Sequence, residues 1–145
     1  MESFFERIGR VEDLLDNDLP EDYVAFLEKP RFAQKMAAPF RGRLWPVTCL
    51  FELGKGPGYQ QLDGTLRLVQ DVLPPDTLPI ARDHAGNFFC LVLDGPRVGQ
   101  VVYWDHEREI GDHTVENVSL SLTDFVSSLR IKEDRSHQPN ISTTI

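Results

Sequence analysis

Residues 79–107, PIARDHAGNFFCLVLDGPRVGQVVYWDHE, decide how this chain folds. They read as three strands rich in β-branched and aromatic residues, broken at Asp83-His84-Ala85-Gly86-Asn87 and at Asp94-Gly95-Pro96. Gly and Asn tolerate the positive φ that tight hairpin turns demand, so the stretch predicts an antiparallel meander. Its middle strand, 88–93, is apolar at every position rather than at alternate ones. Both faces of that strand are therefore expected to be covered, which places it at the centre of a sheet.

The flanks supply the cover. Phe4, Phe5, Ile8, Val11, Leu14 and Leu15 recur at helical spacing across residues 2–16, predicting an amphipathic helix. Asp16-Asn17-Asp18 breaks it, and a second helix starts at Leu19-Pro20, with Pro20 at the first helical position and acids in the first turn. Tyr23, Phe26 and Leu27 form its buried stripe, and Pro30 stops it. Near the other end, Ser121-Leu122-Thr123-Asp124 resembles a capping box, opening a helix through Phe125, Val126 and Leu129 that ends near Arg130. Further strands are expected at 47–53 and 65–69, and a short edge strand at Val118. The outcome is an α+β domain over residues 1–131, an antiparallel sheet with N-terminal helices and a C-terminal helix, followed by a polar, mobile tail at 132–145.

Residues 30–46, PRFAQKMAAPFRGRLWP, with two further prolines, fit a loop or a short helix through Phe32 to Ala38, and their side chains read in two ways. Arg31, Lys35, Arg41, Arg43 and Trp45 can offer cations and a stacking face to a ligand. Alternatively Phe32, Phe40 and Trp45 tuck into the core while the basic groups neutralise an acidic body. The loop at 54–58 lacks the Lys-Ser/Thr pair and helix of a phosphate-binding loop.

Composition bounds function. The chain has 145 residues and a net charge of −8. That sign argues against nucleic acid, whose binding depends on neutralising phosphates with Lys and Arg. Charge is unevenly spread: residues 1–29 carry nine acidic and three basic side chains, whereas residues 30–55 carry one and five. An acidic surface steers a basic protein partner. No apolar run is long enough to span a bilayer and the first residues lack signal-peptide character, so a cytoplasmic location is expected. Cys49 and Cys90 both lie in apolar segments and read as small buried hydrophobes rather than a bridge or a nucleophile.

Two candidate sites emerge. In a meander the first turn and the end of the third strand share an edge, so Asp83-His84 and Asp105-His106-Glu107 come together, within reach of His113. Imidazoles and carboxylates can ligate a divalent ion or form a poised base, which makes a metal-dependent enzyme using Asp83, His84, Asp105 and His106 the alternative reading. Against it, the spacing fits no mechanistic motif, and adjacent strand residues point to opposite faces. The other reading is a protein-recognition surface, with Asp83, Tyr103, Trp104, Asp105 and Glu107 as contacts, because aromatic anchors and steering charges suit such interfaces.

Four ordered blocks carry a family resemblance: Leu19-Pro20-x-Asp22-Tyr23-x-x-Phe26-Leu27; Leu78-Pro79-Ile80-Ala81-x-Asp83-x-x-Gly86-Asn87-x-Phe89-Cys90-Leu91; Gly99-x-Val101-x-Tyr103-x-Asp105-His106-Glu107; and Phe125-Val126. Over most of residues 10–130 the chain resembles the SUKH superfamily, which includes a fungal cell-wall-synthesis regulator and many bacterial immunity proteins. It departs in one place, where Glu28-Lys29-Pro30 stands instead of the family's common Gly pair. The resemblance implies helices against a twisted antiparallel sheet, no catalytic residues, no cofactor, and a protein-binding role. For bacterial members it implies immunity, in which the protein neutralises a polymorphic toxin, often a nuclease.

Overall fold

A computed structural model describes residues 3–29, 35–53, 58–105 and 114–132. The element order is α1 (Phe4–Leu15), α2 (Glu21–Glu28), β1 (Lys35–Phe40), β2 (Arg43–Leu50), α3 (Leu62–Val69), β3 (Thr77–Asp83), β4 (Phe88–Val92), β5 (Val101–Trp104), β6 (Glu116–Ser119), α4 (Leu122–Ser128) and β7 (Arg130–Lys132). The seven strands form one sheet in the order β6-β5-β4-β3-β2-β1-β7, and every pairing is antiparallel.

The expected meander is β3-β4-β5, and β4 is buried at all of its positions. Its two faces are covered differently. The register places Phe89 opposite Tyr103 and Phe88 opposite Trp104. Paired residues in an antiparallel ladder share a face, so these two pairs point to opposite sides of the sheet. On one side the Phe89 ring meets Phe40 at 6.0 Å, Tyr103 at 5.4 Å and Phe125 of α4 at 5.2 Å. Phe40 belongs to β1, three places from β4 in the sheet order. The sheet therefore curls into a half-barrel around these aromatics, with α4 touching both β1 and β6 across its mouth. On the other side Phe88 stacks on Trp104 at 5.7 Å, and α3 packs on β3 and on α1.

Both terminal helices carry the caps their sequences encode. Ser3 and Glu6 form a reciprocal capping box at α1, and the Ser121 hydroxyl accepts from the Asp124 N–H at 3.0 Å in α4. Pro20 stands one place before α2, at the cap itself.

Three expectations are corrected. Residues 65–69 are not a strand but the second half of α3. TLRLV alternates like a strand, but Leu62, Thr65, Leu66 and Val69 fall at i, i+3, i+4 and i+7 and are all buried. The 30–46 segment, expected as a loop or a short helix, instead contributes β1 and the first half of β2, joined by a hairpin at Arg41-Gly42 whose φ values are +54° and +74°. Positive φ at both central residues is what a two-residue hairpin turn requires. Pro39 is tolerated in β1 because β7 pairs only with residues 35–37, leaving the flank at Pro39 without a neighbouring strand. Finally, α4 ends at Ser128, and the chain adds β7 against β1 rather than passing straight into a tail. Residues 133–145 lie outside the described residues.

Candidate interaction rim

One end of the sheet gathers the β1-β2 turn, the 84–87 turn between β3 and β4, the last residues of β5 and the start of β6. Asp83 lies at its heart and is 1% exposed. Its Oδ2 accepts the Trp45 indole N–H at 2.8 Å and the Tyr103 hydroxyl. Its Oδ1 accepts the backbone N–H groups of Ala85 at 2.9 Å and Asn87 at 2.8 Å. The Asn87 side chain donates to the Tyr103 oxygen at 3.0 Å, and Thr48 donates to the Asp83 carbonyl at 2.9 Å. One carboxylate thus ties β2, β3, β5 and the intervening turn together. At Gly86 the turn reaches φ +83°, a conformation that suits glycine.

Electrostatics follow from this cage. Burial opposes the charged form of Asp83, yet the bonds from Trp45, Tyr103, Asn87 and Ala85 outweigh it and hold the carboxyl below its ordinary pKa. Burial, and then donation to Asp83, push the Tyr103 hydroxyl well above its ordinary value. Tyr103 therefore stays protonated and serves as a donor at any physiological pH.

The sequence expectation that Asp83 and the end of the third strand share an edge holds, through the Asp83–Tyr103 bond. What the side chains do there differs from a contact surface. Tyr103 is 5% exposed and Trp104 is 2% exposed, on opposite faces, so these two and Asp83 present almost no area to a partner. Asp105 is half-buried at the rim, and His84 is exposed. His106, Glu107 and His113 lie outside the described residues. A carboxylate offers about four lone-pair sites, and Asp83 has four donors on them. No lone pair is left to ligate a metal or take a proton, which removes Asp83 from the four-residue metal centre. Among the described residues no group of three or more His, Cys, Asp or Glu is placed to hold a metal.

Both readings of the 30–46 segment contribute. Phe40 and Trp45 are buried, while Arg41 and Arg43 are exposed above them. The Arg41 guanidinium lies 5.0 Å from the Phe40 ring centre, 5.2 Å from Trp45 and 5.5 Å from Tyr103. It also grips Glu116 of β6 through Nη2 at 2.7 Å and Nε at 3.1 Å. This clasp spans the mouth of the half-barrel. Arg43 stacks on Trp45 at 4.6 Å. The signal in the sequence was Arg-Gly at 41–42, a turn whose flanking side chains must rise on the same edge.

A run of exposed carboxylates lies along the first two helices and the connection between them. Glu6, Asp13, Asp16, Asp18, Glu21, Asp22 and Glu28 are all exposed, against Lys29 as the exposed cation of residues 3–29. Glu12, Asp13, Asp16 and Asp18 border a shallow depression of about 590 Å³ at the C-terminal end of α1. Among the described residues, no helix is long and apolar enough to cross a membrane.

A model of the SMI1 / KNR4 family (SUKH-1) matches residues 5–128. The chain is also similar to the SPbeta prophage-derived uncharacterized protein YokK of Bacillus subtilis (strain 168), with 27% identity over 143 residues, covering 86% of this chain and 73% of that protein.

Proposed function

The chain belongs to the SMI1 / KNR4 family (SUKH-1), and we propose on that footing that it is a non-enzymatic immunity protein that captures and neutralises a basic toxin domain. The observation that carries this reading is the acidic exterior of α1 and α2, where seven exposed carboxylates face one exposed lysine. A surface of one sign accelerates encounter with an oppositely charged partner and masks a cationic active site such as a nuclease requires. Asp105, half-buried at the rim, adds a further carboxylate to the contact, and Glu107, outside the described residues, is assigned to it from the sequence alone. Asp83 and Tyr103 act from inside by tying the strands that carry the rim, and Trp104 by packing on Phe88 beneath it. Such binding takes place in the cytoplasm, where a toxin acting on nucleic acid would meet its target.

Co-purification with the products of adjacent genes tests this. A toxin domain should be retained with nanomolar or tighter affinity. Neutralising the helical carboxylates in an Asp13→Asn, Asp16→Asn, Asp18→Asn variant should slow association by roughly tenfold at low salt, with little change in dissociation. Absence of any complex, or an association rate indifferent to both salt and these substitutions, overturns the proposal.

A further inference from the structure

Around Trp45 the exposed side chains of the rim are basic. The Arg43 guanidinium carbon sits over the Trp45 ring, 4.6 Å from its centre, and the His84 ring meets the same indole edge-on at 5.2 Å. The indole is fixed, since its N–H is held by Asp83 at 2.8 Å and Phe40 packs against it at 5.3 Å. Arg43 and His84 are exposed, and among the described residues neither forms an ion pair, whereas Arg41 next to them is neutralised by Glu116. A guanidinium stacked on an aromatic face keeps its N–H edge open in the plane of the ring system, the direction from which a carboxylate accepts two parallel bonds. Contact with the indole face restricts the rotamers open to Arg43 before any ligand arrives, which lowers the entropy lost on binding.

We propose that Arg43, Trp45 and His84 form a shelf that receives an Asp or Glu side chain from an extended segment of a partner protein. Arg43 makes the bidentate contact, His84 adds a donor from the side, and Trp45 supplies the platform. A single carboxylate suits this site better than a nucleic-acid strand. A strand would carry its further phosphates over a molecule of net charge −8, and that repulsion opposes polyanions. The shelf is separate from the acidic helices and stands whether or not the partner of those helices is a toxin.

The test is a titration of the full ¹⁵N-labelled chain with an end-blocked peptide of alternating Glu and Leu, followed at the Trp45 indole N–H and the Arg43 Nε–H. Both resonances should move and saturate with the Glu peptide, and neither should move with its Gln counterpart. Arg43→Ala should weaken binding by roughly tenfold or more, and Arg43→Lys, which keeps the charge but loses the planar fork, should recover only part of it. Arg43 is exposed, so the spectrum of each variant should otherwise match the parent and exclude misfolding. No shift at millimolar peptide, equal shifts with the Gln peptide, full retention in Arg43→Ala, or tighter binding of a single-stranded oligonucleotide at the same resonances would each sink the proposal.

Discussion

Replacing Asp83 by Asn changes almost no volume, yet it should be among the most damaging conservative substitutions in this chain. The carboxylate accepts four hydrogen bonds in a site that is 1% exposed. An amide offers one carbonyl and one NH₂. If the carbonyl faces Trp45 and Tyr103, the NH₂ confronts the N–H groups of Ala85 and Asn87, and two donors are stranded, one part-buried and one buried. In the flipped orientation the turn survives, but the NH₂ meets the Trp45 indole N–H, which can only donate. At least one buried donor is left unsatisfied, at about 1–3 kcal/mol, and the surviving bonds fall from charged to neutral strength, at about 1 kcal/mol each. Relief of the buried charge returns part of this, leaving a net loss of about 3 kcal/mol. For a chain of this size that lowers Tm by about 10 °C. Urea unfolding should show a lower midpoint with an unchanged slope, since the surface exposed on unfolding is the same. Tyr103→Phe removes one donor of the cage, and a double-mutant cycle with Asp83→Asn should give a coupling above about 1 kcal/mol.

The pH dependence has a definite sign. The folded carboxyl lies below its ordinary value of 3.8, so the unfolded chain binds protons first as acid is added. The contribution of Asp83 is therefore complete above the unfolded value and is lost as pH falls through 3.8 and on toward the folded value. The gap between the parent and Asp83→Asn should be constant near neutrality and close on the acid side. A loss under 1 kcal/mol at neutral pH, or a gap that widens in acid, refutes the cage as described.

Three further outcomes are expected. Phe89→Ala empties the centre of the concave aromatic cluster, where the ring is fully buried against Phe40, Tyr103 and Phe125. It should cost about 3–5 kcal/mol in denaturant unfolding. Arg41→Ala breaks an ion pair whose two side chains are each 47% exposed; the loss should stay under about 1 kcal/mol in the same assay, and a larger one would mean that the clasp holds the half-barrel shut. The Cys90 thiol is fully buried and its pKa is raised by that burial, so an aromatic disulfide reagent should leave it unlabelled in native buffer and label it after unfolding.

How legible these features are in the sequence depends on how local their causes are. The meander is readable because its middle strand is apolar enough to need two covered faces, and because its turns are written in Asp, Gly and Asn. α1, α2 and α4 are readable from their period and caps. α3 is not, since Thr65-Leu66-Arg67-Leu68-Val69 alternates like a strand, and the deciding residue, Leu62, stands outside that window. β1 is harder still. Ala37, Ala38 and Pro39 have no strand preference of their own and are extended because β2 and β7 hold them. β7 has three residues and exists only as a partner of β1. At the rim, the approach of Asp83 to Tyr103 follows from meander register. Its inward direction does not, because Trp45 reaches it from 38 residues away along a hairpin that composition does not announce.

That distant contact changes what the family blocks mean. Asp83, Gly86, Asn87 and Tyr103 all belong to the blocks by which the chain resembles its superfamily, and all four belong to one buried joint: acceptor, turn, donor, and the strand tied to it. Asp and Tyr side by side in a motif invite a reading as acid and base. Here the carboxylate has no lone pair to spare, and the phenol is held protonated by its burial and by the bond that occupies it. The joint is therefore scaffold, and it does for the sheet what a second hydrophobic layer would do with less directional precision. A scaffold of this kind can carry different partners without being altered, because the groups that face solvent lie elsewhere. On this chain they are the carboxylates of α1 and α2 and the arginines raised on the Arg41-Gly42 turn, one surface of each sign. Substitutions confined to those surfaces should change what is bound and leave stability within about 1 kcal/mol, whereas substitutions in the joint should do the reverse.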